Sequence, residues 1–109
     1  MNHELIQKLS LQEPKTLLQR MVKLQEETGE LAQEVLIAQN ASGTQHKTAG
    51  ADGIAGECVD IVLVALSIYF SQGKSPQDLA EYTQKKLEKW QHHQSKPLPG
   101  SPDPETQFP

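Results

Sequence analysis

The chain has 109 residues, a formal net charge of −4, one cysteine, and hydrophobic and aromatic shares of 36% and 5%. That length holds a single domain core, and the acidic balance disfavours a protein that coats a nucleic-acid polymer. The lone Cys58 excludes an internal disulfide framework and a multi-cysteine zinc site, and so few aromatics beside seven glycines and seven prolines argue against a β-sandwich.

Residues 1–13 are polar and carry Glu4 and Glu13, which predicts no secretory leader and a cytoplasmic protein. Asn2 can cap a short first helix ending near Gln12. Pro14 suits the first turn of a second helix, over residues 14–39, because its missing N–H has no partner there anyway. In that helix Leu17, Met21, Leu24, Thr28, Leu31, Val35 and Ala38 step by four and three, a heptad-like apolar seam, with Glu27, Glu30 and Glu34 in a stripe beside it.

Residues 40–53 are small, polar and glycine-rich, the composition of a loop between helices. A third helix is expected over residues 54–72. Its longest apolar run, residues 58–70, is too short for a bilayer span and is broken by Asp60 and Ser67, so no membrane is expected as a partner. Because this helix is apolar on nearly every side it must be buried all round, and a domain of this size has few elements to surround it. A partner copy of the chain is therefore expected to cover part of it. Cys58, flanked by apolar residues and with no histidine near it in sequence, reads as a small core residue.

Ser75-Pro76-Gln77-Asp78 opens the fourth helix with a cap, a proline and an acid in the right order. Leu79, Tyr82, Leu87 and Trp90 are its apolar positions; Lys85, Lys86 and Lys89 are its basic side. From residue 95 on, the chain holds five of the seven prolines and reads as a proline-rich disordered tail. The expected organisation is all-α: an antiparallel helical bundle over residues 1–94, completed by oligomerisation, and a tail over 95–109.

Asp60 is the single charged residue in thirteen of CVDIVLVALSIYF, and an unpartnered carboxylate there is costly to desolvate. Glu57 lies one turn earlier on the same face, and Glu27 and Glu30 repeat the i, i+3 spacing on the preceding helix. Antiparallel packing of the two helices lets all four carboxylates converge. Such a cluster needs protons, lysines or a cation, and all-oxygen ligands favour Mg²⁺ or Mn²⁺.

At these residues the sequence resembles the MazG-like all-α nucleoside triphosphate pyrophosphohydrolases, whose signature is Glu-x-x-Glu, a variable spacer, then Glu-x-x-Asp. The first half stands here as Glu27-Thr28-Gly29-Glu30 and the second as Glu57-Cys58-Val59-Asp60, with a spacer of 26 residues between them. The likeness extends over residues 14–90 and includes GEL and the apolar run after the Asp. It implies a helical bundle that forms homodimers or homotetramers. It implies Mg²⁺, with Mn²⁺ as a substitute, held by Glu27, Glu30, Glu57 and Asp60. It implies cleavage of a (deoxy)nucleoside triphosphate to the monophosphate and pyrophosphate. Water would attack the α-phosphorus, with one of the four carboxylates taking its proton and Glu27 as the candidate. Relatives often carry a lysine followed four residues later by asparagine in the last bundle helix. Lys86 fits the first position, but Trp90 occupies the second, so Lys86, Lys89 and Lys15 stand as the substrate-binding candidates. His46 and Lys47, in the glycine-rich loop, read as a polar loop rather than a phosphate clamp.

Two other functions fit the same residues. One is a non-catalytic helical module that binds nucleotides or proteins, which the missing asparagine and the proline-rich tail suggest. The other is a structural oligomer whose acids share protons. Tyr69, Phe70, Tyr82 and Trp90 are the aromatic candidates for stacking on a base, and each suits a core equally well.

Overall fold

A computed structural model describes residues 1–40, 43, 49–50 and 53–95. Most of these residues are helical, in the order α1 (His3–Gln12), α2 (Leu17–Ala38), α3 (Gly53–Phe70) and α4 (Pro76–Gln94). The chain divides into two compact units, Met1–Gly73 with α1 to α3 and Lys74–Pro109 with α4. Of the tail expected over residues 95–109, Ser95 is described as the residue that ends α4, and the rest, with His46 and Lys47 of the expected loop, lies outside the described residues.

The starts of α1, α2 and α4 follow from their capping chemistry. Asn2 accepts a hydrogen bond from the Leu5 N–H at α1, as its position predicts. The α2 start departs from the sequence expectation: Pro14 lies outside the helix, and Thr16 is the cap. Its hydroxyl accepts from the Gln19 N–H while the Gln19 side chain accepts from the Thr16 N–H. A reciprocal box satisfies two otherwise orphaned donors, whereas Pro14 at the first helical position satisfies none. Ser75 and Asp78 make the same box at α4. Gly73, at φ 80°, adopts the left-handed conformation that follows many helix ends, and its N–H returns to the Phe70 carbonyl. Within the α4 unit the Lys74 ammonium stands 5.8 Å from the centre of the Tyr82 ring.

Three contacts fix α2 against α3. Near the start of α2 the Arg20 guanidinium donates to the Ser67 carbonyl at 2.7 Å. In the middle, Glu27 meets Glu57 and Asp60. Near the end, Glu34 Oε1 accepts the Gly50 N–H at 2.7 Å, just ahead of α3. Partner numbers fall as α2 numbers rise, so the two helices run antiparallel. Arg20 also ties in α1, donating to the carbonyls of Ser10 and Glu13, each at 3.1 Å. Alongside, α1 and α3 border an open pocket of about 250 Å³ lined by Ile6, Leu9, Ser10, Glu13, Leu63, Val64 and Ser67.

Burial overturns several expectations drawn from hydropathy. The buried residues of α2 are Arg20, Glu27 and Glu34, spaced by seven, and not the apolar seam. Leu17, Met21 and Val35 of that seam are exposed. The hydrogen bonds of Arg20 and Glu34 rotate the polar stripe toward α3 and turn the seam outward. The all-apolar α3 is likewise little covered within the chain: Val59, Val62 and Leu63 are exposed, and Phe70 is the one large side chain fully buried among the described residues. Cys58 is exposed, so it is no core residue of the single chain, and Phe70 is sealed away from any base. Counted as a helix, the apolar segment is 18 residues with a mean hydropathy of 1.8, long and apolar enough to cross a bilayer.

Candidate metal centre

The site forms where the middle of α2 faces the first turns of α3. Glu57 and Asp60 are one turn apart on α3, and Glu27 comes to them from α2. One carboxylate oxygen from each of the three lies within 4.8 Å of the other two. Glu30, the fourth acid expected here, is exposed and stands outside this group, although its charge acts on Glu57.

The three acids differ in environment. Glu27 is the buried one, only 6% exposed, whereas Asp60 is exposed. The desolvation cost that the sequence suggested for Asp60 therefore falls on Glu27 and Glu57, whose carboxylates meet where α2 faces α3. Glu27 Oε1 is 3.0 Å from Lys23 Nζ, one helical turn earlier, and the same ammonium stands 3.9 Å from Glu26 Oε2. That hydrogen-bonded pair holds the Glu27 carboxyl below its ordinary range, against the opposing effect of burial, and raises the Lys23 ammonium. Glu57 is pushed the other way, up to about 7, first by burial and then by the charge of Glu30 and the contact with Glu27.

Glu27 Oε2 and Glu57 Oε2 are both buried with no hydrogen-bond donor. A buried acceptor left unpaired costs free energy, so these two oxygens need a proton or a cation between them. A hard divalent ion fits the donor set: three carboxylates, oxygen atoms only, two of them otherwise unsatisfied.

Of the basic candidates, Lys15 lines a polar hollow of about 300 Å³ with Gln19, Val22, Lys23 and Glu26, beside the acids. Lys86 and Lys89 are exposed on α4, in the other unit. Two residues of the site escaped the sequence reading. Lys23 was signalled only by its place four residues before Glu27. Arg20 was signalled by its seven-residue spacing from Glu27 and Glu34, a repeat of charged rather than apolar residues. Compared with known proteins, the chain matches no family model, no curated protein and no solved structure.

Proposed function

We propose that the protein is a divalent-cation-dependent nucleoside triphosphate pyrophosphohydrolase, with Glu27, Glu57 and Asp60 holding Mg²⁺ or Mn²⁺ and Glu30 at the edge of the site. The observation that carries this reading is the convergence of Glu27, Glu57 and Asp60, each bringing one carboxylate oxygen within 4.8 Å of the other two, at a place where Glu27 and Glu57 each also keep a buried oxygen with no donor. The four acids of the pyrophosphohydrolase signature supply the reaction class. Water adds to the α-phosphorus, the bond from that phosphorus to the bridging oxygen breaks, and the products are a nucleoside monophosphate and pyrophosphate.

When bound, the ion supplies charge neutralisation and Lewis-acid polarisation of the phosphate oxygens. The chain's own residues do the rest. Glu27, kept ionised by Lys23, is a better anionic ligand than proton acceptor. Glu57, raised by burial and the neighbouring acids in the cation-free chain, holds a proton that a bound cation would displace. Lys15 and Lys23, beside the same hollow, offer positive charge to the departing pyrophosphate. Lys86 and Lys89 remain candidates for the nucleotide end. Association into dimers or tetramers belongs to this proposal, since α3 is left uncovered by the single chain.

The test is a pyrophosphate-release screen over canonical and damaged (deoxy)nucleoside triphosphates with Mg²⁺ and Mn²⁺. Release from at least one nucleotide is expected, with Glu27→Gln and Glu57→Gln each lowering turnover by about 100-fold or more. No turnover across the panel overturns the reading. One observation favours a structural alternative: a proton on Glu57 and the Lys23 ammonium together can satisfy the acids without a cation. In that case divalent ions leave the melting temperature unchanged.

A further inference from the structure

Lys23 occupies a position with two uses. Its ammonium is 3.0 Å from Glu27 and 3.9 Å from Glu26, which makes it the counter-charge of the acid cluster in the cation-free chain. Its side chain is nevertheless 40% exposed, and it lines the hollow shared with Lys15, Gln19, Val22 and Glu26. It also lines a second hollow of about 110 Å³, again with Lys15, together with Arg20, Glu13, Val64 and Ser67. Two ammonium groups thus border the same two recesses, and one of them, Lys23, reaches the acid cluster through Glu27.

We propose that Lys23 exchanges partners, pairing with Glu27 in the cation-free protein and with a phosphate of a polyphosphate chain once a divalent cation takes the acids, with Lys15 as the second phosphate contact. This rests on the metal-site reading above and deepens it. A divalent ion among Glu27, Glu57 and Asp60 competes with the ammonium for the Glu27 carboxylate and repels it through like charge. The exposed side chain then turns to the nearest anion, and a polyphosphate beside the acids is that anion. Cation and polyphosphate binding are therefore coupled through one side chain, each favouring the other. Without the cation, Lys23 is engaged, and a polyphosphate faces unscreened carboxylates.

Calorimetry on the full chain tests this with two probes, Mn²⁺ alone and the preformed Mn²⁺–tripolyphosphate complex. Removing the competing ammonium in Lys23→Met should tighten Mn²⁺ binding by about 5-fold and weaken binding of the complex by about 10-fold or more, opposite signs from one substitution. Lys23→Arg should keep both affinities near wild type. Lys8→Met, which removes the same charge from an exposed position of α1, should change neither. Unchanged affinity of Lys23→Met for the complex, with normal Mn²⁺ binding, overturns the exchange and leaves the metal site standing. Movement of both affinities in the same direction does so as well. A wild-type chain that binds no Mn²⁺ overturns the exchange and the metal site together.

Discussion

At Glu57, burial and three neighbouring acids raise a carboxyl group from its ordinary 4.5 to about 7, and this makes the site's charge state a function of pH. Between those two values the unfolded chain has released a proton that the folded chain still holds. Stability therefore falls as pH rises through that window and levels off above it. The Lys23–Glu27 pair acts elsewhere on the scale: the lowered carboxyl of Glu27 contributes stability that is lost only as pH falls through its own, lower range. The melting temperature of the cation-free protein should thus decline between about pH 5 and pH 7.5. Glu57→Gln should abolish that decline and raise the melting temperature at alkaline pH. Mg²⁺ should stabilise the wild type more above neutrality than below it, because below it a proton must leave first. Thermal melts across pH, with Mg²⁺ and with chelator, measure all three, and a flat wild-type profile would show that Glu57 is ionised throughout.

At the scale of the elements, side-chain hydrogen bonds decide where helices begin and which face they bury. Thr16→Ala should cost about 1 kcal/mol by removing one half of the box that starts α2, while Pro14→Ala, ahead of the helix, should change stability by less than about 0.5 kcal/mol. Denaturant titration separates these, and equal effects would move the helix start back to Pro14. Arg20 is the larger lever. It is 7% exposed and donates to four backbone carbonyls, those of Lys15, Ser67, Ser10 and Glu13, so it clamps the ends of α1 and α3 to α2. Arg20→Met leaves those carbonyls short of a donor and should destabilise the protein by about 3 kcal/mol, with weaker Mn²⁺ binding because Glu27 loses its fixed register against α3. Four helices were legible in the sequence because caps, prolines and apolar periodicity are local signals. The convergence of Glu27, Glu57 and Asp60 was legible because i, i+3 spacing fixes a helix face. The orientation of α2 was not. Its apolar seam, Leu17 to Val35, promised the buried face, yet the clamp of Arg20 and the Glu34–Gly50 hydrogen bond turn the charged stripe inward. Hydropathy does not register hydrogen bonds between residues as distant as Arg20 and Ser67.

At the scale of the whole molecule, the described residues of the single chain leave many large apolar side chains exposed. Sixteen large apolar side chains are exposed among the described residues, and a single one, Phe70, is fully buried. Full burial of a Val, Leu or Met side chain contributes about 1.5–3 kcal/mol, so covering even a few of them would rival the net stability of a domain. The uncovered part of α3 also adjoins Glu57 and Asp60, so whatever covers it borders the acid site. A second copy is the occupant expected here. A lipid bilayer, which the length and hydropathy of α3 would suit, would have to accommodate the two acids, at considerable cost. Sedimentation in detergent-free buffer should show a dimer or tetramer at micromolar concentration. Val62→Glu should shift it to a monomer and lower its melting temperature, although Val62 is exposed in the single chain and would tolerate the change there. Cys58, the chain's one cysteine and exposed beside Val62 on the same helix, reports the same event independently. Its thiol should react slowly with a maleimide in the wild-type assembly and rapidly in Val62→Glu. A wild-type monomer with a fast-reacting Cys58, or a chain that partitions onto vesicles, would remove the second copy from α3 and with it the expectation that the acid site is completed at a subunit boundary.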